Sequence, residues 1–297
     1  MSNTTDHIAI VGLGSIGRRH LRLLKLLRSN LELSLVRSGY GATWPEDNLA
    51  DRVVKTSGEA IAAGAKAAII SSPSPFHVKQ AFDWLRENKP LLIEKPLSHN
   101  LKGLSGLKNF VKKSEIPVLI GYVLRYDQCA QHFHQMLKSK ETGEPLYVRI
   151  ECSSYLPDWR PDLEYRKSAS ARKSLGGGAL LELSHEIDYA NWFFGPFKNI
   201  QASLQNSGTL DIETEDGADL LLCNFKGLPI SIHLDFYGKV PKRECRVKTS
   251  EGELVWNILS QKILWTDANG QFKERSFKQD RDKLFIRQLE HFLNCIN

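Results

Sequence analysis

The residues best suited to chemistry are a lysine in the first half of the chain and a carboxylate–imidazole group in the second. Lys95 follows the apolar run Leu91–Ile93, which is typical of a strand buried on both faces, and Pro96 prevents further ladder bonding. Ligands of an open parallel sheet bind beyond the carboxyl ends of its strands, so Lys95 is predicted to face a ligand. Taken alone, an ordinary exposed lysine is the alternative.

The second group consists of Glu182, His185 and Asp188. They step by three along a predicted helix, Ala179–Tyr189, that begins after the triple glycine Gly176–Gly178. Helical spacing places all three broadly along one side, which brings two carboxylates near an imidazole. The pattern indicates proton handling, with a solvated polar stripe as the alternative.

A glycine turn follows the first predicted strand, His7–Val11. The turn reads Gly12-Leu13-Gly14-Ser15-Ile16-Gly17, and apolar residues then recur at helical spacing. Gly12 and Gly14 allow a tight turn and close approach to a pyrophosphate, while Gly17 lets the helix pack against the strand. This context predicts a dinucleotide site, whereas a glycine-rich turn alone is a weak signal.

Arg37 lies 20 residues after Gly17, where NAD enzymes usually carry an acidic residue for the ribose hydroxyls. An arginine followed by Ser38 can instead pair with a 2′-phosphate, which favours NADP over NAD. The alternative is an exposed arginine with the cofactor held elsewhere.

The pattern of predicted strands and helices that must position these residues changes near Gly121. Before it, strands alternate with helices up to Val118–Ile120, which predicts a Rossmann-type, doubly wound parallel sheet in residues 1–122. After it, successive alternating strands predict an α+β domain in residues 123–297, with an open, mostly antiparallel sheet and a final helix, Leu284–Ile296. One face of such a sheet could pair two copies of the chain.

The connection over residues 157–178 is long and rich in aromatic and basic residues, among them Trp159, Arg160, Tyr165 and Arg166. Long connections inside domains are usually functional or disordered, and exposed aromatics argue against disorder. Aromatic faces and guanidinium groups would suit a sugar that carries phosphate or carboxylate. A basic surface loop with structural aromatics is the alternative.

Composition argues against several other classes of protein. The net charge is +6 and the pI about 9.0, but the basic residues are dispersed and no nucleic-acid motif accompanies them. Five cysteines without a CxxC pair indicate neither a zinc site nor a disulfide framework. The chain has no membrane-spanning apolar run, and its start, Met1–Asp6, is polar, so we expect a cytoplasmic protein.

Together these residues resemble the Gfo/Idh/MocA oxidoreductase family, which is named for glucose-fructose oxidoreductase, inositol dehydrogenase and a rhizopine catabolism protein. The resemblance runs from Ile8 to about Asn297 and is carried in order by the glycine turn, Ser72-Pro73 with His77, Glu94-Lys95-Pro96, and the triple glycine leading to His185 and Asp188. The segment Tyr155–Pro161 resembles a branch associated with bacterial surface-sugar gene clusters.

The resemblance implies hydride transfer between a substrate carbinol carbon and the nicotinamide C4, without a metal. His185 would act as general base and Lys95 would hydrogen-bond the same oxygen. The family's acid is commonly an aspartate four residues before the histidine, but Leu181 stands there, so Glu182 is the candidate. The implied cofactor contacts are Gly12, Gly14, Ser15, Ile16, Gly17, Arg37, Ser38, Ser72, Pro73, His77, Glu94 and Lys95. The implied substrate contacts are Arg125, Tyr155, Trp159, Arg160, Tyr165, Arg166 and Asp188.

The predicted function is therefore that of an NAD(P)-dependent oxidoreductase acting on CH–OH groups of a sugar or nucleotide sugar, with NADP preferred over NAD. We expect a homodimer or homotetramer formed through the C-terminal sheet, and no binding to nucleic acid or membrane. Two alternatives remain open, a nonredox cofactor-binding sensor or scaffold and a redox-assisted glycoside hydrolase.

Overall fold

The computed structural model describes residues 7–39, 43–139 and 141–296. Contacts divide the chain into two units. The first unit comprises Met1–Val123 together with Asp280–Asn297, and the second comprises Leu124–Gln279.

The first unit alternates strands with helices. Its described elements, in order, are β1 His7–Val11, α1 Ser15–Leu27, β2 Glu32–Val36, β3 Arg52–Val54, α2 Ser57–Ala62, β4 Ala67–Ile70, α3 His77–Leu85, β5 Leu91–Ile93, α4 Leu104–Ser114 and β6 Val118–Ile120. The strands form one parallel sheet in the order β3-β2-β1-β4-β5-β6. This confirms the predicted doubly wound sheet. The strand order reverses between β1 and β4, the point at which such sheets bind ligands.

The sheet is apolar because it is covered on both faces. Every residue of β1, β4 and β5 is buried, as expected for parallel strands that lie between two helix layers. Trp84 of α3 is fully buried, and its indole N–H donates to Ser57 Oγ at 3.1 Å. That bond satisfies the one polar group of the indole and ties α3 to the start of α2.

The second unit begins with helices and strands that lead into a large sheet. Its described elements, in order, are α5 Gln128–Ser139, β7 Pro145–Ser153, α6 Ala179–Glu182, α7 His185–Phe194, β8 Phe197–Gln205, β9 Gly217–Asn224, β10 Pro229–Asp235, β11 Lys242–Thr249, β12 Gly252–Asn257, β13 Lys262–Asp267 and β14 Phe272–Ser276. The strands form an 8-stranded sheet in the order β14-β13-β12-β11-β7-β10-β9-β8. All neighbours except the parallel pair β7 and β10 are antiparallel, as predicted.

One face of this sheet is apolar and carries the core. Along β7 and β10, alternate residues such as Ile150 and Ile232 are buried, while Arg149 and His233 occupy the opposite face. Helix α7 packs on the apolar face through Tyr189, whose ring lies 5.1 Å from that of Trp256. The period-2 pattern in the strands therefore decides where α7 can dock.

A last helix, α8 Arg281–Ile296, belongs to the first unit. Its Asp282 pairs with Arg19 at 3.1 Å, and its Phe285 packs edge-on against His20, both from α1. Its apolar stripe, which includes Leu289, is buried. The predicted second domain, 123–297, therefore differs from the structure at its end, because periodicity shows which face a helix buries but not which unit covers it.

The longest of the described helices is α8, with 16 residues. Within residues 7–39, 43–139 and 141–296, no helix is long and apolar enough to cross a membrane.

Candidate functional site

The glycine turn leaves one glycine open and presses two against neighbouring backbone. Gly12 has a φ of +91°, and a Cβ there would lie 2.9 Å from the Ser72 backbone. A Cβ on Gly17 would lie 2.3 Å from the Gly12 carbonyl oxygen. Gly14 is exposed and faces open space. Gly12 and Gly17 are thus required by the fold, while Gly14 leaves room for a ligand to approach the backbone.

The turn opens directly onto the N-terminus of α1. Gly14 is the N-cap residue and provides no side-chain cap, and the first turn of α1 contains no acidic residue. Ser15 is exposed and Ile16 is half-buried. A helix start with this composition attracts anions through its N–H groups and its dipole.

The carboxyl end of β2 lies beside this turn, because Gly12 N donates to Val36 O at 3.1 Å. The next residue, Arg37, donates from Nη1 to Asp47 Oδ2 at 2.5 Å. Asp47 lies in a short 3-10 helix, Pro45–Leu49. Sequence reasoning placed Arg37 and the exposed Ser38 correctly at the strand end but gave no sign of Asp47.

The loop after β4 is held by a histidine. His77 is 1% exposed, and its ring nitrogens lie 2.7 Å from Ser72 O and 2.9 Å from Pro96 O. Burial lowers the pKa of His77, against the opposing effect of these two carbonyl groups. A neutral imidazole carries one N–H, so the ring donates to one of these carbonyl groups and packs against the other, between the Ser72-Pro73 loop and the loop that carries Lys95.

Glu94 is also a buried support. It is 6% exposed, and its Oε1 accepts a hydrogen bond from Nε2 of His20 at 2.7 Å. Its Oε2 accepts from the Lys95 backbone N–H at 3.3 Å. Gly121 permits this arrangement, since a Cβ there would lie 2.8 Å from the Glu94 carboxylate.

Sequence reasoning missed His20. It lies four residues before Leu24 on the buried face of α1, so helical spacing could have placed it in the core. Lys95 itself is half-buried, next to a cis peptide bond to Pro96.

In the second unit, the helix predicted over residues 179–189 is divided in two. Glu182 ends α6 and His185 begins α7, with Leu183 and Ser184 buried between them. At this point Glu186 N donates to Leu183 O, a tighter i to i+3 bond. Glu182 and His185 therefore lie on two separate helices, where one continuous helix was predicted.

Two of the three glycines before α6 are required by close contacts. A Cβ on Gly177 would lie 2.3 Å from the Ala169 and Ser170 carbonyl oxygens. Gly178 has a φ of +113°, and its Cβ would lie 2.2 Å from Glu215 Oε1. That carboxylate accepts from Leu180 N at 3.2 Å, so Glu215 holds the start of α6.

Helix α7 is held by two ion pairs. Glu186 is fully buried and accepts from Arg243 Nε at 2.7 Å. Asp188 is bound through both oxygens, by Arg125 Nε at 2.9 Å and Arg125 Nη2 at 2.8 Å. The structure thus brings together Arg125 and Asp188, two predicted substrate contacts, three residues along the chain from the half-buried His185.

The remaining predicted substrate residues form local contacts. Trp159 is 37% exposed, packs edge-on against Phe236 and donates to Ser154 Oγ at 3.0 Å. Two others lie together elsewhere in the unit, where Tyr165 Oη donates to Leu210 O and Arg166 stacks over the Tyr165 ring.

The other two predicted substrate residues, Tyr155 and Arg160, differ in exposure. Tyr155 is half-buried beside Lys239, and Arg160 is exposed. The predicted loop of residues 157–178 contains short 3-10 helices, so it is ordered by these contacts.

Comparison with known proteins identifies the family. Residues 7–122 match the model described as the oxidoreductase family, NAD-binding Rossmann fold, and residues 130–255 match the GFO/IDH/MocA C-terminal domain. The two models together cover more than half of the chain.

The chain matches its curated relatives over only part of their length. Glucose-6-phosphate 3-dehydrogenase of Bacillus subtilis is 23% identical over 225 residues, which cover 73% of this chain and 62% of the relative. The chain thus spans about half to three fifths of the first curated relatives it matches.

Solved structures share the fold. UDP-N-acetylglucosamine 3-dehydrogenase from Acidithiobacillus ferrooxidans has a TM-score of 0.76 at 16% identity, covering 98% of this chain and 88% of that one. Levoglucosan dehydrogenase in complex with NADH has a TM-score of 0.83 at 17% identity, covering 98% and 89%. With both family models matched in order, and with the glycine turn and the Glu94-Lys95-Pro96 loop in place, the chain belongs to the Gfo/Idh/MocA family of NAD-binding oxidoreductases.

Proposed function

We propose that this protein is an NAD(P)-dependent dehydrogenase or reductase that acts on a CH–OH group of a sugar or nucleotide sugar. The observation that carries the proposal is the fit of the glycine turn to a pyrophosphate, with open space over Gly14 and no acidic residue in the first turn of α1. The similar proteins named above are dehydrogenases of a sugar phosphate, a nucleotide sugar and an anhydrosugar, which supports this substrate class.

The first unit would hold the cofactor. Gly12, Gly14 and the N-terminus of α1 would bind the pyrophosphate, and the end of β2 would meet the adenosine ribose. When bound, the nicotinamide ring accepts or returns a hydride at C4. His77 and Glu94 would support this surface from beneath, because they fix the loops that carry Ser72 and Lys95.

Three side chains would handle the substrate oxygen and its proton. His185 would take the hydroxyl proton, since an imidazole exchanges protons near neutral pH. Lys95 would donate a hydrogen bond to the same oxygen and stabilise its developing charge. Asp188 or Glu182 would supply the acidic partner, and Arg125 fixes the orientation of Asp188 by its two hydrogen bonds.

Fluorescence titration with NADH and NADPH tests the cofactor part of the proposal. Binding of at least one is expected, and binding of neither would remove it. Turnover is then screened on sugars and nucleotide sugars for wild type, Lys95→Ala and the exposed control Lys102→Ala. We expect the Lys95 variant to lose about 100-fold or more in kcat and the control to keep its rate. If the wild type binds the cofactor but turns over none of the sugars and nucleotide sugars, the result favours the alternative of a nonredox sensor.

Copies of the chain would pair through the outer face of the second unit's sheet. Arg149, Glu151, Ser231 and His233 line a depression of about 690 Å³ on this face, next to the exposed Leu221. Sedimentation should give the mass of two or four 33.6 kDa chains, and Leu221→Glu should reduce it. A wild-type monomer would contradict this arrangement. A cytoplasmic location remains an expectation.

A further inference from the structure

The end of β2 carries a charge arrangement that the sequence did not predict. Arg37 N donates to Val54 O at 2.9 Å, so its backbone continues the sheet at the carboxyl edge, one residue beyond the strand that bonds to Gly12. The Arg37 side chain therefore starts where dinucleotide-binding folds meet the adenosine ribose. What it offers to a cofactor depends on its neighbours.

Asp47 is one of those neighbours. The Arg37 and Asp47 side chains are only 15% and 14% exposed, so water screens their ion pair weakly. Asp47 Oδ1 is buried and, within the part of the chain that the structure describes, has no hydrogen-bond partner. An ionised carboxylate accepts hydrogen bonds and donates none, so Asp47 adds a negative charge beside Arg37 that opposes a phosphate.

A second pair repeats the arrangement on α1. The Arg18 guanidinium lies 3.9 Å over the Trp44 ring and 3.6 Å from Glu46. The segment from Trp44 to Asp47 thus sets one carboxylate against each of the two arginines. These four side chains sum to zero charge, so they offer a dianionic 2′-phosphate no net attraction.

We propose that Asp47 sets cofactor choice by occupying Arg37 and repelling a 2′-phosphate, so that this protein prefers NAD(H) to NADP(H). The inference rests on the proposed function, since it assumes that the glycine turn binds a dinucleotide. It reverses the preference that Arg37 alone suggested. NADPH would have to separate Arg37 from Asp47 and place two like charges within a few ångströms, whereas the 2′-hydroxyl of NADH is neutral.

The test is fluorescence titration of NADH and NADPH into the full-length wild type and Asp47→Asn, which keeps the shape of the side chain and removes its charge. Wild type should bind NADH at least about tenfold more tightly. Asp47→Asn should tighten NADPH binding about tenfold or more, because a neutral amide replaces the carboxylate that repels the phosphate beside Arg37. Asp47→Asn with Arg37→Gln should lose that gain.

Asp51→Asn is the matched control. Asp51 pairs with Lys25 at 2.8 Å and accepts from Leu33 N, near the opposite end of β2, so its loss should leave the ratio of the two affinities unchanged. A wild type that prefers NADPH would overturn the inference even if the variant failed to fold, and so would a ratio that Asp47→Asn leaves within about twofold. Binding of neither cofactor to folded wild type would overturn the proposed function itself.

Discussion

The surroundings of Lys95 and of His185 are built in different ways. The Lys95 loop is held by imidazole rings, with His77 on two backbone carbonyl groups and His20 on the buried Glu94. Helix α7, which begins at His185, is held by ion pairs with arginines 57 and 63 residues away in the chain. The first arrangement uses imidazole nitrogens beside carbonyl and carboxylate oxygens, and the second uses guanidinium groups bound to carboxylates.

The two regions should respond differently to the loss of one polar partner. A hydrogen bond to a backbone carbonyl fixes a loop with little dependence on salt. An ion pair holds its geometry only while both charges are present, and a buried charge left alone is costly. We therefore expect the second unit to lose more stability than the first when one polar partner is removed.

The largest effect should come from the ion pair between Glu186 of α7, which is fully buried, and Arg243. Glu186→Gln leaves Arg243 without its charge partner, so the free energy of unfolding should fall by about 3–5 kcal/mol. Urea denaturation measures this loss. Replacing both partners, by Glu186→Leu with Arg243→Met, should recover most of it. If the single variant unfolds within about 1 kcal/mol of wild type, the Glu186–Arg243 pair does not hold α7 as described.

A smaller loss is expected at His20 in the first unit. His20→Ala removes the hydrogen bond to the Glu94 carboxylate and should cost about 1.5–3 kcal/mol. His132→Ala is the matched control, because His132 is only half-buried and its Nε2 hydrogen-bonds Nη1 of the exposed Arg275 at 2.9 Å, not a buried carboxylate. If both substitutions cost the same in urea denaturation, the His20 bond does not stabilise the Lys95 loop as described.

The partly exposed pair of Arg125 and Asp188 should contribute less. The Arg125 side chain is 41% exposed, so Asp188→Asn should cost about 0.5–1 kcal/mol, and the cost should shrink in 1 M salt. Denaturation at low and high salt measures both values. A cost that does not change with salt would show that packing against Trp192, not charge, holds Arg125.

The effect expected at His233 should depend on pH. Its hydrogen bond to Asp235 raises the pKa of His233 to about 9, with help from Asp219 and against burial. Because the folded pKa lies above the unfolded value of about 6.5, this stabilisation is complete below that pH and is lost as the pH rises through about 9. The urea midpoints of wild type and His233→Gln should differ at pH 6 and converge near pH 10. If the two urea midpoints differ by the same amount at both pH values, the raised pKa of His233 does not stabilise the fold.

Patterns local in sequence predicted most of the first unit. The strand Val118–Ile120 has the predicted bounds, and the glycine turn leads into α1 as expected, because each depends on consecutive residues. Partners that carry no motif could not be predicted. Asp47 lies only 10 residues from Arg37, while His20 and Arg243 lie far in sequence from Glu94 and Glu186, and α8 docks on α1 across most of the chain. The break at Leu183 and Ser184 was missed because helical periodicity assumes a continuous helix.

Transfer of deuterium from NADH that carries deuterium at both C4 positions to the keto forms of sugars and nucleotide sugars tests the proposed activity most directly. Mass spectrometry should find one deuterium in the reduced sugar for each NADH consumed by wild type. The label should be absent from the sugar with Lys95→Ala or His185→Asn, although both variants still bind NADH. If wild type binds NADH and every label stays in the cofactor, the dehydrogenase assignment is contradicted.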